Sequence, residues 1–322
     1  MSGTSARSKT ASAVAAMAAA LLLTGFSVSP GAAAEPASTT RADSAAPLGF
    51  GADTTGGAGG ETVSVYNASG FIAAVQSTTA RTVLVTAPVN ISGTVDVGSN
   101  KTILGVGDAA RINGGGLNVS GASNVIIQNV RFIGSSEVAI NVQNSSDVWI
   151  DHNEISRAYK GGIDIKNGSD QVTVSWNRIY DQEGALLVGH DAENDAEDLG
   201  KLRVTFAHNW FDGTEERNLL VRFGNPVHVL NNFFSDIDSY GVRSTELAGV
   251  LIEGNHFENA RTPYSVGGYF EFGSIEARDN KFTGSGSGET GGTVADVPYD
   301  YTVESPETVK ATVTAGAGIG RI

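Results

Sequence analysis

The chain has 322 residues, no cysteine, and 35 acidic against 21 basic residues, for a formal net charge of −14. Without cysteine the fold must be held by packing alone, and so strong an acidic excess argues against a general affinity for nucleic acid or anionic membrane. An anionic ligand would need cations gathered at one place.

Residues 1–34 read as a unit of their own. Arg7 and Lys9 precede an apolar run from Ala13 to Leu23, and Ala32-Ala33-Ala34 stand before Glu35. That order predicts a secretion signal peptide with a small-residue cleavage site, and the run is too short for a membrane span. The expected mature protein is secreted and extracellular, and loss of Arg7 and Lys9 with no acid takes its charge to −16. Residues 35–60, rich in Ala, Thr, Ser and Gly, predict a flexible lead-in. The folded domain is expected over 61–322.

Thr62 to Gln76, with Phe71 to Val75 inside it, predicts a short N-terminal helix capping the first coil of a repeating domain. From 123 onward the chain repeats itself. SNVIIQNVRF, SDVWIDHNEI, DQVTVSWNRI, LRVTFAHNWF, PVHVLNNFF, AGVLIEGNHF and GSIEARDNKF share one plan: a short β-branched alternating strand, an Asn, and a large apolar residue just after. The asparagines at 153, 177, 209, 232, 255 and 280 recur at intervals of 24, 32, 23, 23 and 25. That period suits one coil of a solenoid, with a loop inserted in the longest.

Alternation within each strand and polar corners predict an all-β, parallel β-helix with the asparagines stacked in a ladder. Its interior is expected to hold Val125, Ile127, Val148, Ile150, Val172, Val174, Val204, Phe206 and Val229, with alternate side chains facing solvent. The tail from Val294, carrying Pro and charge, is expected to run along the outside.

Such a solenoid has a flat flank on which side chains of successive coils line up about 4.8 Å apart, a surface suited to a polymer. Residues far apart in sequence, such as Asp164 and Arg217, can meet there. Within EERNLLVRFGNPVHVLNN (215–232), Arg217 and Arg222 stand five apart in a strand-like segment and need an explanation. Asp151 and His152 read as structural groups beside the ladder. The acidic run DAENDAED (191–198) lacks the order of an EF-hand loop and reads as solvated. His190 is a further groove candidate. Tyr240, Arg243, Tyr264 and Tyr269 are candidates either for a sugar subsite or for the outer cover of the solenoid.

VWIDHNEI (148–155), GGIDIKNGSDQVTVSWNRI (161–179) and the Arg-x-x-x-x-Arg-Phe-Gly of 217–224 followed by VHVLNNFF resemble, in this order, the pectate lyase superfamily, polysaccharide lyase family 1, over roughly residues 60 to 290. The resemblance implies a secreted, right-handed parallel β-helix that cleaves polygalacturonate by β-elimination to 4,5-unsaturated products, usually with calcium. It implies a pectic polysaccharide as partner, with no nucleic acid or membrane, and the chain is expected to be a monomer. Arg217 matches the arginine that takes the C5 proton, and Arg222 the second arginine, a binder of substrate carboxylate. Asp164 matches a calcium-binding aspartate. Where the family has a second acid, four residues earlier, this chain has Lys160. Where an acid precedes the A-I-x-V strand it has Val138, with Glu137 one place off, and the usual third-coil lysine falls at Gly184.

These departures allow two readings of the metal position. Calcium is held by Asp164 and the displaced Glu137 together with substrate carboxylates, or Lys160 replaces it as a fixed cation, as in metal-independent pectin lyases. A non-catalytic carbohydrate-binding β-helix is the alternative from another class. A glycoside hydrolase such as polygalacturonase would need two or three carboxylates clustered on adjacent coils, and the chain carries neither its Asn-Thr-Asp signature nor an Arg-Ile-Lys.

Overall fold

The computed structural model describes residues 47–322, so the expected signal peptide (1–34) and the first part of the expected lead-in lie outside the described residues. Two sheets run the length of the domain, one of 10 strands and one of 13, and every pairing within their ladders is parallel. The chain alternates between the sheets coil after coil and so builds a parallel β-helix, as the repeat predicts.

The alternating residues face inward. All nine expected core residues are essentially inaccessible and belong to one continuous core. In register, Val125, Val148, Val172, Val204, Val227 and Val250 stack along one interior column of the 10-stranded sheet. Phe211, Phe234, Phe257 and Phe282 form a stack with ring centroids 4.4, 4.7 and 5.7 Å apart. Offset parallel rings of this kind add to the area they bury.

The asparagine ladder joins the two sheets at their corner. From Asn153 to Asn280 each Nδ2 donates to the next Oδ1 at 3.0 Å, and each backbone N–H donates to the same oxygen. Each Nδ2 also reaches a strand carbonyl, as Asn153 does to Ile127 O at 2.9 Å. From Asn153 to Asn255 these amides are buried, so each bond spares a donor or acceptor that water cannot reach.

Three expectations change. The capping helix is Ala68–Val75, begun by Asn67 accepting the Gly70 N–H at 2.9 Å. Thr62–Val65 instead belongs to the strand Glu61–Val65, whose β-branched alternation pairs with Arg81–Val85. Residues 47–60 are not a free lead-in, because they lie against the outer face of the 10-stranded sheet. Phe50 and Gly51 donate backbone N–H to Thr205 and Thr173, and Gly57 to Thr102. Gly56, at φ +58°, approaches so closely that a Cβ there would lie 2.3 Å from Thr102 Oγ1.

The same cover overturns the idea that alternate strand residues meet solvent on this sheet. Ile126, Trp149, Thr173, Thr205, His228 and Leu251 point outward and are nevertheless buried. The C-terminal tail completes the cover: Tyr299 OH lies 2.7 Å from both Thr205 Oγ1 and His228 Nδ1, and His228 Nε2 lies 2.9 Å from Glu253. Helix Pro306–Gly316, not expected from the sequence, buries Val309 and Val313 over Phe233.

Candidate active site

With one sheet covered by both ends of the described chain, the polymer-sized surface left open lies on the 13-stranded sheet. A groove of about 800 Å³ crosses it, lined by Asp164, Lys160, Lys166, His190, Arg217 and Arg222 among others.

The two arginines reach this groove by a local irregularity. Strict alternation puts residues five apart on opposite faces of a strand. Opposite the step from Gly184 to Leu186, the strand Glu216–Arg222 runs from Glu216 to Leu219, one residue more. This bulge leaves Arg217 at φ +34° and turns Asn218 inward, where its Nδ2 donates to Tyr240 O at 3.0 Å. Arg217 is thereby swung outward, onto the side of Arg222. A Cβ built on Gly184 would lie 3.4 Å from Arg217 Nη2, so the place of the family lysine adjoins this guanidinium.

Among the described residues no carboxylate lies within salt-bridge distance of either arginine, although Glu215 and Glu216 are adjacent in sequence. Arg222 Nη1 donates to the carbonyls of Gly189 and His190 at 3.0 and 3.2 Å, which fixes its fork. Burial lowers the Arg222 pKa, Arg217 adds to that, and nearby Tyr240, Glu246 and Asp191 oppose it. Two unneutralised cations on one wall of a groove in an acidic protein are the gathered charge that an anionic ligand requires.

Asp164 stands on the strand Gly161–Lys166 in register with Asn141 and Leu187. Burial raises its carboxyl, while neighbouring Lys166, His190 and Arg217 pull it the other way. Its Oδ2 lies 3.5 Å from Lys166 Nζ. Lys166 lies within the stretch 161–179 that carries the resemblance, with no role implied for it there, yet it sits two residues from Asp164 on the same strand face, and the period of the strand would have found it. Lys160 extends across the rim to Glu137, Nζ to Oε2 2.6 Å, and that hydrogen bond raises its pKa. His190 lines the groove, and so do Val138 and Gly184.

A ladder of amides approaches Asp164 from the preceding coils. Asn118 donates to Asp96 at 2.6 Å and Asn141 donates to Asn118 at 2.7 Å, while the buried Asn141 Oδ1 has no partner. That oxygen and Asp164 are donors of the kind calcium accepts, but calcium takes six to eight oxygens and several carboxylates. Here each acid offered by the resemblance carries a lysine, and among the described residues no three acidic, histidine or cysteine side chains converge. The donor set does not fit a resident calcium.

The remaining candidate residues divide. Asp151 accepts from Ser175 and Gln128 at 2.5 and 2.9 Å, and His152 stacks on Trp176 at 5.7 Å, all on the opposite sheet from the groove. In the acidic run, Asp198 is buried and accepts the Gly168 N–H at 2.7 Å, so that end closes the long coil instead of dangling in water. Tyr264 is buried against Phe257 and Phe282. Tyr240, Arg243 and Tyr269 line a second depression that shares Arg217 and Arg222 with the first.

A parallel β-helix with free cations along a polymer-length groove defines an enzyme of anionic polysaccharides. A family model described as pectate lyase matches residues 10–321, and the chain belongs to the pectate lyase family. It is 36% identical over 260 residues to a probable pectate lyase A of Aspergillus fumigatus, covering 77% of this chain and 79% of that protein. It is 33% identical over 291 residues to a pectate trisaccharide-lyase of Bacillus licheniformis, covering 84% of each. A crystal structure of a pectate lyase from Bacillus sp. N165 in complex with trigalacturonate superposes with a TM-score of 0.76 at 28% identity, covering 85% of this chain and 99% of that one.

Proposed function

We propose that this protein is a pectate lyase that cleaves polygalacturonate by β-elimination. The observation that carries the reading is the pair Arg217 and Arg222, turned to one side by the bulge and free of protein carboxylates. The relatives named as pectate lyases support it.

Elimination removes the proton on C5 of a uronate, next to its carboxylate. The electron pair of that C–H bond becomes the C4=C5 double bond as the bond from C4 to the glycosidic oxygen breaks, and the leaving oxygen takes a proton from water. Negative charge builds on the carboxylate as the proton departs, and fixed cations stabilise it where it develops. Arg222, with its fork set by two carbonyls, receives the carboxylate. Arg217, the exposed partner, takes the C5 proton. A guanidinium ordinarily keeps its proton at any accessible pH, so this role calls for crowding by other cations and for alkaline conditions. Lys160 and Lys166 line the same groove, each held against an acid.

A metal-independent pectin lyase on the same scaffold is the second reading, favoured by the lysines that stand against Glu137 and Asp164. The N-terminal segment supports export to an extracellular pectic substrate, and the acidic charge argues against nucleic acid and anionic membrane as partners. We read the working unit as a monomer. The deciding experiment is the ultraviolet assay of unsaturated product on polygalacturonate and on highly methylated pectin, with calcium and with chelator. Product from polygalacturonate supports the proposal. Binding without product would make the arginines a site for an anionic sugar, and product from methylated pectin alone would select the second reading.

A further inference from the structure

Elimination moves two protons, and the second arrives at the leaving group. As the bond from C4 to the glycosidic oxygen breaks, that oxygen departs as an alkoxide unless an acid meets it. Water is a weak acid for this purpose, and a phenol, with an ordinary pKa of about 10, is a much stronger one. Tyr240 brings a phenol to the two arginines, lining a depression of about 410 Å³ with Arg217, Leu220, Arg222 and Arg243.

Stacking of the coils sets this residue beside Arg217. The strands Glu216–Arg222 and Phe233–Thr245 pair in parallel, with Leu219 opposite Val242 and Arg222 opposite Thr245. Arg217 and Tyr240, each two residues before the Leu219–Val242 pair, thus hold matching places in adjacent coils, whose backbones run about 4.8 Å apart. Each also stands at a break in register. One extra residue opposite Gly184–Leu186 accompanies Arg217, and one extra between Ile237 and Tyr240, opposite Ala260–Thr262, comes just before Tyr240. Such bulges re-aim side chains beside active sites. The Asn218 amide ties the two coils by donating to Tyr240 O at 3.0 Å. The Tyr240 ring is half-buried, with Arg243 Cζ 5.9 Å from its centre. Among the described residues no group hydrogen-bonds its phenolic oxygen, which leaves the O–H free for a ligand.

The surroundings suit an acid. Burial pushes the Tyr240 phenol up to about 12, Arg217, Arg243 and Arg222 pull it the other way, and Glu216 adds to the rise. The phenol therefore keeps its proton in alkaline solution, and the three guanidinium groups stabilise a phenolate at the moment it forms. We propose that Tyr240 is the general acid of the elimination, giving its phenolic proton to the departing glycosidic oxygen while Arg217 takes the proton from C5. The inference rests on the lyase reading. In the balanced step the C5–H pair becomes the C4=C5 bond, and the C4–O pair stays on the oxygen, which takes the Tyr240 proton. The phenolate then recovers a proton from water, so water remains the final source, and Arg217 releases its proton to solvent.

The test uses Tyr240→Phe, which keeps the ring and loses only a hydroxyl that no protein group holds. Its kcat on polygalacturonate should fall by about 10²-fold or more, the contribution of a positioned acid, with the melting temperature unchanged. The comparison substrate is trigalacturonate carrying a 4-nitrophenoxy group at C4 of its non-reducing end, whose leaving oxygen departs without being protonated. On that substrate Tyr240→Phe should stay within about threefold of wild type, whereas Arg217→Ala should remain inactive because the C5 proton has still to be taken. Wild-type activity of Tyr240→Phe on polygalacturonate would overturn the assignment, since the hydroxyl would then be unused. Equal losses on the two substrates would overturn it as well, because a residue that only shapes the site, or acts before the C4–O bond breaks, impairs both alike. Absence of product from wild type on every substrate would instead overturn the lyase reading.

Discussion

Arg217 and Arg222 face the same side of the groove although five residues separate them, because one extra residue opposite Gly184–Leu186 breaks the alternation of their strand. Arg217→Ala should lower kcat by about 10²–10⁴-fold, the range for loss of a positioned acid or base. The side chain is exposed and makes no ion pair, so the circular dichroism spectrum and melting temperature should hardly move. Activity equal to wild type would end its role as base. Deleting Asn218 should be as damaging, because it removes the bulge and turns Arg217 inward.

The lysines make a second test. Lys160→Ala and Lys166→Ala should each raise KM on polygalacturonate more than Lys281→Ala, a lysine paired with Glu307 away from the groove lining. Equal effects in all three would return Lys160 and Lys166 to ordinary surface residues. Since each candidate metal ligand carries one of these lysines, the wild type should keep most of its activity in chelator. Activity abolished by chelator and restored by calcium would show that substrate carboxylates complete a site that the protein donors do not.

Activity should climb toward alkaline pH. A guanidinium can accept the C5 proton only after giving up one of its own, which acid and neutral solution oppose. Burial lowers the neighbouring Arg222, while the Tyr240 phenol, pushed up to about 12 by burial, is removed from competition over most of that range. A kcat profile flat from neutral pH upward would mean that another group takes the C5 proton.

The ladder predicts stability. Asn232 Oδ1 accepts both the backbone N–H and the Nδ2 of Asn209 at 2.8 and 3.0 Å, inside the core. Asn232→Ala should cost about 2–4 kcal/mol by stranding these two buried donors. Chemical denaturation would read the loss, and a change below half a kcal/mol, roughly the level of a neutral surface substitution, would contradict the ladder's role.

Much of the fold is legible in the chain alone. The recurring asparagines, the alternating valines and the phenylalanines behind them are local and periodic, and a parallel β-helix repeats one local solution. The site is legible only in its residue types. Arg217, Arg222, Asp164 and Lys160 do line one groove, but the pairing of Glu137 with Lys160 depends on stacking two coils. The covered outer face of the 10-stranded sheet escapes a sequence reading because its cover comes from segments at both ends of the domain, residues 47–57 and 294–320, which carry no repeat.

The coil, its period, its core and the identity of the cations can be read from the chain, since each depends on interactions within a coil or with the same position one coil away. Which face those cations occupy and which acids already hold a lysine emerge in the folded molecule alone. A bulge reverses the outward or inward sense of a side chain without leaving a mark in composition. Contacts between segments some twenty to two hundred residues apart are set by how the coils stack.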